Sequence, residues 1–322
     1  MSAEFNLIKQ YFTRTPKNAD LGIGDDAALI QASANHQLAI STDMSVVGTH
    51  FLQEAEPYDV GWKSLAVNIS DMAAMGANPK WATLSIALPE VHHAWLSAFS
   101  NGFFDCANQF KVDLIGGDTT RGPLNISVTI MGETPTGKAI TRSNAKAGDD
   151  IWVSGQVGRA ALGLAYLQER VTLDDETRDL CLYALNQPQP RVSLGLALRD
   201  IANSCIDISD GLLADLSHIL KASGAMGAAL QLEKMLCLDA IKAHSQEPNI
   251  QQAILAGGDD YELCFTAAPQ QREAIVALGK KLDLNLTRIG GTDTTGKLTV
   301  TLDNKALNIS QLGYEHFAYK HD

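Results

Sequence analysis

Six short stretches place acidic residues beside glycines or at the ends of apolar runs: GIGDDAAL (22–29), STDMS (41–45), NISDMAAMGA (68–77), GGDTTRG (116–122), IDISDGLLADL (206–216) and AGGDDYELCF (256–265). Any one of them reads as a turn or a helix cap, because Asp and Asn favour both. Six in one chain, each flanked by apolar residues that fix it at the rim of a packed element, carry more weight. Carboxylates gathered without cationic partners repel one another, and divalent ions remove that penalty. Mg2+ takes hard oxygen donors, keeps several waters, and sits between one or two carboxylates and substrate phosphates. The pattern therefore points to a metal-bound nucleotide. In GGDTTRG no Lys follows the glycines as it would in a P-loop. Asp118 stands there instead, ready to meet a cation that rides on phosphate, while the paired glycines let backbone approach closely.

Elements must hold these acids in place. Strands are predicted at 37–42, 81–88, 112–117 and 124–133, and helices at 59–77 and 92–110. Phe5, Ile8, Tyr11 and Phe12 fit one face of an N-terminal helix. The polar, turn-rich stretch 134–150 marks a domain boundary, giving domains 1–137 and 138–322. Beyond it, helices are predicted at 157–169, 174–186 and 191–202, with Pro188 and Pro190 breaking the set. Strand 204–208, helix 211–222, strand 227–232, helical stretches to 255, strand 260–266, helix 270–281 and strands near 286–290 and 297–301 follow. Both halves mix strands and helices, and neither a tandem repeat nor a low-complexity tract appears.

Within this frame IDISDGLLADL can be read closely. Asp207 and Ser209 point to one side of an extended segment. Asp210 or Ser209 caps the helix whose apolar face is Leu212, Leu213, Leu216 and Ile219. Of the neighbours Asp25 and Asp26, one is expected to ligate metal and the other to serve the turn. His50 is a lone histidine after a Gly-Thr turn, and Arg142 is either a plain surface charge or a phosphate donor. His92 and His93 read as surface or packing residues.

Other chemistries find no support. There is no G-x-S-x-G elbow, no H-E-x-x-H and no Cys/His zinc spacing. A net charge of −12 argues against non-specific binding to nucleic acid or anionic membrane. No apolar stretch is long enough to span a bilayer. The N-terminus lacks the pattern of a signal peptide. Cys106, Cys181, Cys205, Cys237 and Cys264 form no C-x-x-C pair and read as buried free thiols in a reducing cytoplasm.

Taken in order, GIGDDAAL, STDM…GTHF, VNISDMAAMGANP, GGDTTRG, ITRSNAKAGDDIWVSGQVG, DISDGLLADL, GGDDYEL and the terminal GYEHF resemble the thiamine-monophosphate kinase family. That family sits in the larger group containing aminoimidazole ribonucleotide synthetase. The resemblance runs from Leu21 to Phe317. It implies a two-domain α+β fold whose N-terminal domains pair in a homodimer and close strands into a central barrel. It implies ATP as co-substrate, several Mg2+ ions, and transfer of the γ-phosphoryl group to thiamine monophosphate. By position it implies Asp25, Ser41, Thr42, Asp43, Asp71, Asp118, Asp207 and Asp210 as metal ligands. Gly117, Asp118, Arg142 and Ser209 would contact ATP, and His50, Asp259 and Phe317 the substrate. Asp259 stands where the family usually has Glu, and the acid often found near Val47 is missing.

The expected reaction needs no general base. A phosphate monoester, with a second pKa near ~6, is already ionised at neutral pH. Asp43, Asp71 and Asp118 would act through metal, and direct in-line transfer is expected to invert configuration at phosphorus. Two other readings share the same acids: an ATP-dependent synthetase that activates an amide oxygen, and a non-catalytic metal or nucleotide sensor.

Overall fold

The computed structural model describes residues 3–235, 246–308 and 311–317. The chain divides into two compact units, Met1–Ala139 and Ile140–Asp322. In the first, α1 (Ala3–Leu7) runs into a π-turn (Ile8–Phe12), followed by β1 (His36–Val46), α2 (Pro57–Ala74), β2 (Asn78–Leu88), α3 (His93–Phe110), β3 (Asp113–Arg121) and β4 (Asn125–Pro135). The four strands form one sheet in the order β1-β4-β2-β3, antiparallel except for β2 beside β3.

The helix α2 packs against β1, β4 and α3. Its Leu65, Ile69 and Met72 meet a core that includes Trp81, Phe99, Phe103, Ile126 and Ile130, all essentially inaccessible. The apolar alternation of the strands produces this inner face directly. The N-terminal reading needs one correction. Tyr11 and Phe12 are buried with Leu7, but Phe5 is 61% exposed. The π-turn widens the helix, so the face expected from a regular 3.6-residue period does not continue through it.

The second unit holds β5 (Asp150–Ser154), α4 (Arg159–Leu167), α5 (Asp175–Asn186), α6 (Val192–Leu198), β6 (Ser204–Asp207), α7 (Leu212–Ala222) and β7 (Gly227–Gln231). Then come α8 (Pro248–Ala256), β8 (Leu263–Ala267), α9 (Arg272–Leu282), β9 (Leu286–Asp293), β10 (Leu298–Leu302) and β11 (Lys305–Ala306). Its sheet has the order β11-β10-β7-β9-β5-β8-β6, mixed through the parallel pair β7/β10. One core joins Ile151 and Val153 of β5 to Leu212, Leu213, Leu216 and Ile219 of α7 and Ile254 of α8. Cys106, Cys181, Cys205 and Cys264 are free and buried, and Cys237 lies outside the described residues. Among the described residues no helix is long and apolar enough to cross a membrane.

Two acids from the sequence pattern serve this architecture. Asp150 accepts from Arg272 Nη2 at 2.8 Å and from Arg288 Nη1 at 3.1 Å. The Arg272 hydrogen bond, with Arg288 beside it, holds the Asp150 carboxyl below its usual range. Glu262 is 2% exposed; it accepts from Arg191 Nε and from Ser154 Oγ, both at 2.6 Å. Breaking a buried pair strands a charge, so Arg191→Met is expected to cost about 3–5 kcal/mol. Urea unfolding measures this, and a loss below ~1 kcal/mol would contradict the assignment.

Candidate functional site

In the first unit the strand β1 sends alternate side chains to opposite faces. Ser41 and Asp43 share the half-buried face. Ser41 Oγ donates to Asp71 Oδ2 at 2.5 Å, and the Asp43 amide donates to Asn68 Oδ1 at 3.1 Å. The edge strand is thus pinned to α2 by polar groups of the very segment that carries Asp71. Ser41, Asp43 and Asp71 offer only hard oxygens. Thr42 faces the other way, and its hydroxyl meets Thr129 Oγ1 at 2.8 Å. At the strand's end the Val46 amide donates to His50 Nδ1 at 3.1 Å. That bond makes Nδ1 an acceptor, so a neutral His50 ring carries its proton on Nε2.

Asp118 is exposed on β3, in register with Ser85 of β2. The glycine before it has a structural cause. Gly117 adopts φ +149, and a Cβ there would run into the Leu84 carbonyl oxygen. The close approach is to the neighbouring strand, just past a bulge at Ala82/Thr83. Asp25 is exposed in the loop before β1, where its Oδ1 accepts from the Asp26 amide at 3.0 Å. His92 caps α3 by accepting from the Trp95 amide, and His93 Nδ1 lies 2.8 Å from Tyr11 Oη. Both histidines are exposed and serve local structure, in line with the reading as surface or packing residues.

In the second unit Asp207 ends β6, where it is buried, and the loop to α7 carries Ser209 and Asp210. The capping differs from expectation. Neither Ser209 nor Asp210 caps α7; Gly211 holds the N-cap position with φ +124. Asp215, one turn into the helix, folds back instead. Its Oδ2 accepts the amides of Ser209, Asp210 and Gly211 at 3.0, 3.1 and 3.1 Å. Burial pushes its carboxyl up to about 7, with Asp210 adding to the rise and the amides opposing it. An acid four residues past the glycine was the available signal for this.

The GGDDYEL loop packs beside that turn. The Asp259 amide donates to Ser209 O at 2.9 Å, and the Tyr261 hydroxyl donates to Asp259 Oδ1 at 3.1 Å. Asp260 accepts the amides of Gly158 and Ala160 at 2.6 and 3.2 Å and so caps α4. Arg142 is exposed, with its carbonyl accepting from Ser223 Oγ at 3.1 Å. Phe317 is 89% exposed.

Among the described residues no three His, Cys, Asp or Glu side chains come together closely enough to hold a metal by themselves. The donor set fits a different arrangement, in which one or two carboxylates share a Mg2+ with substrate phosphates. The Ser41–Asp71 pair with Asp43 on the same face has that chemistry.

Family models for AIR synthase related proteins match both parts of the chain, the N-terminal domain over 24–134 and the C-terminal domain over 146–303. Thiamine-monophosphate kinase of Escherichia coli K12 is 47% identical over 322 residues, 98% of each chain. The Bacillus subtilis enzyme of that name is 35% identical over 325 residues, 98% of this chain and 99% of its own. The chain belongs to the thiamine-monophosphate kinase family. A crystal structure of the kinase from Stenotrophomonas maltophilia is 45% identical, with a TM-score of 0.82 over 94% of this chain and 96% of that one. AaThiL, solved in complex with AMPPCP and TMP, is 29% identical with a TM-score of 0.77 over 97% and 96%. The hydrogenase maturation protein HypE of E. coli is 20% identical with a TM-score of 0.77, a likeness of fold alone. The family fold, two α+β domains each with a mixed sheet, is the one described above.

The buried cap residue gives this family member a pH signature. Burial raises the Asp260 carboxyl from 3.8 to about 7. The native state then holds a proton that the unfolded chain has released. Asp260's stabilising contribution is full below about pH 4 and is lost as pH rises through about 7. Asp260→Asn should therefore flatten the fall in unfolding midpoint between about pH 4 and 7. An unchanged slope would remove Asp260 as its source.

Proposed function

We propose that this chain transfers the γ-phosphoryl group of ATP to thiamine monophosphate, forming thiamine diphosphate and ADP. The observation that carries this reading is similarity to thiamine-monophosphate kinases along 98% of the chain. The complex of AaThiL with AMPPCP and TMP supports the choice of both substrates.

The acceptor oxygen is already ionised, so the protein has no proton to remove. Its task is to bring two anions together and align them, which is where phosphoryl-transfer enzymes spend their binding energy. Mg2+, bound with the nucleotide, would neutralise phosphate charge and bridge oxygens. Ser41, Asp43 and Asp71 on the β1–α2 face, Asp25 and Asp118 in their exposed loop and strand, and Asp207 and Asp210 before α7 are the proposed ligands. Thr42 could join them only through its backbone, since its side chain faces Thr129. Gly117, Ser209 and Arg142 are assigned to ATP, Arg142 as a planar donor to phosphate. His50 can donate through Nε2 to the substrate phosphate, and Asp259 and Phe317 complete the substrate side. An exposed aromatic ring suits the cationic thiazolium.

A homodimer formed by the N-terminal domains, with their strands closed into a central barrel, belongs to the same reading. Its support is the outer face of β1, where Leu38, Ile40 and Met44 are 42%, 62% and 53% exposed. An apolar sheet face of this kind marks an interaction surface. Four buried free thiols agree with a reducing cytoplasm.

The deciding experiment is ADP release in a coupled assay with Mg2+ and ATP. Release should require thiamine monophosphate and match the thiamine diphosphate formed. ADP release that ignores the acceptor would defeat the proposal. Asp71→Asn should lower kcat at least about a hundredfold, while Asn still accepts from Ser41 and stability changes by less than ~1 kcal/mol. Wild-type turnover at limiting Mg2+ would exclude Asp71 from the site.

A further inference from the structure

The Ser209–Gly211 turn has its backbone groups taken up by three segments, two of them distant in sequence. Asp215 takes its three amides from within α7. The GGDDYEL loop takes the Ser209 carbonyl through the Asp259 amide at 2.9 Å. The C-terminal segment takes the Asp210 carbonyl through the Tyr314 amide, also at 2.9 Å, while Leu312 O accepts from the Ala214 amide at 3.0 Å. Between these two bonds sits Gly313. A Cβ on it would lie 2.5 Å from Ala214 Cβ and 2.6 Å from the Asp210 carbonyl oxygen. Both obstacles are fixed, one a backbone atom and the other a helix methyl. Any side chain at 313 must lift the segment from the turn.

Resting on the kinase reading, we propose that residues 312–314 clamp the Asp210 turn, with Gly313 as the positioning residue. The clamp sets the direction of the Asp210 carboxylate toward Mg2+-nucleotide. The same three residues carry Phe317 to the substrate, so nucleotide and acceptor sites share one support. A tail that merely presented Phe317 would need neither the backbone bonds nor the glycine.

The experiment compares Gly313→Ala, Phe317→Ala and a chain ending at Ser310, each in the full protein background. Calorimetry measures Mg2+·ADP binding, and steady-state kinetics give KM for thiamine monophosphate. Gly313→Ala should weaken Mg2+·ADP binding and raise this KM, each about tenfold, the scale of one hydrogen bond that orients a charged group. Phe317→Ala should raise the KM alone. The shortened chain should bind Mg2+·ADP as poorly as Gly313→Ala, which keeps the test alive if the alanine variant does not fold. Wild-type Mg2+·ADP affinity in the shortened chain, or in a folded Gly313→Ala, overturns the clamp. A wild-type protein that forms no thiamine diphosphate would instead overturn the kinase reading.

Discussion

The convergence of three amides on one oxygen of Asp215 is the constraint on which the turn between β6 and α7 depends. A carboxyl group this buried costs free energy unless its acceptor capacity is filled, and the turn fills it with the N–H groups of Ser209, Asp210 and Gly211. Ser209 and Asp210 precede the N-cap Gly211, so their amides take no part in the hydrogen bonding of α7 itself. With its amides pointing inward, the turn leaves the side chains of Ser209 and Asp210 half-exposed. Only glycine fits the pivot, because at φ +124 a Cβ on Gly211 would also press into the Ala256 backbone. The DISDG sequence thus reads as two half-exposed polar residues mounted on a bend that a buried acid enforces.

The first unit solves the same problem by different means. There the acids sit on regular elements, and the pleat of β1 separates two tasks. One face offers Ser41 and Asp43 beside Asp71, and the other presents Leu38, Ile40 and Met44 outward. A shift of one residue in the pairing of β1 with β4 would exchange the faces. Asn68 guards against that shift from α2 by taking the Asp43 amide. The α2 segment NISD therefore holds β1 through both Asn68 and Asp71 within four residues.

Much of this was legible in the sequence, and the reasons differ by element. Strands β1 to β4 and helices α2 and α3 carry clean periodicities, and each forms within a few residues of its expected bounds. The clustering of acids beside glycines singles out loops that the structure shows to be densely hydrogen-bonded. The division of labour inside those loops could not be read. Asp150, Asp260 and Glu262 look like site acids by composition, yet they pair with Arg272 and Arg288, cap α4, and pair with Arg191. Asp215 carries no sign in the sequence, beyond its spacing from Gly211, of the turn it organises through three amides. Such roles depend on partners more than fifty residues away or on backbone direction, and neither leaves a local pattern. Gly117 shows the same limit, since the demand for glycine comes from Leu84 on the next strand.

The proposal at the centre of the account is that carboxylates of this chain ligate divalent metal together with the nucleotide. Crystals grown with Mn2+ and a non-hydrolysable ATP analogue test it most directly through anomalous scattering. The expected result is Mn2+ peaks about 2 Å from a carboxylate oxygen of Asp71 and of Asp210. Bound nucleotide with no anomalous peak at either carboxylate would contradict the claim.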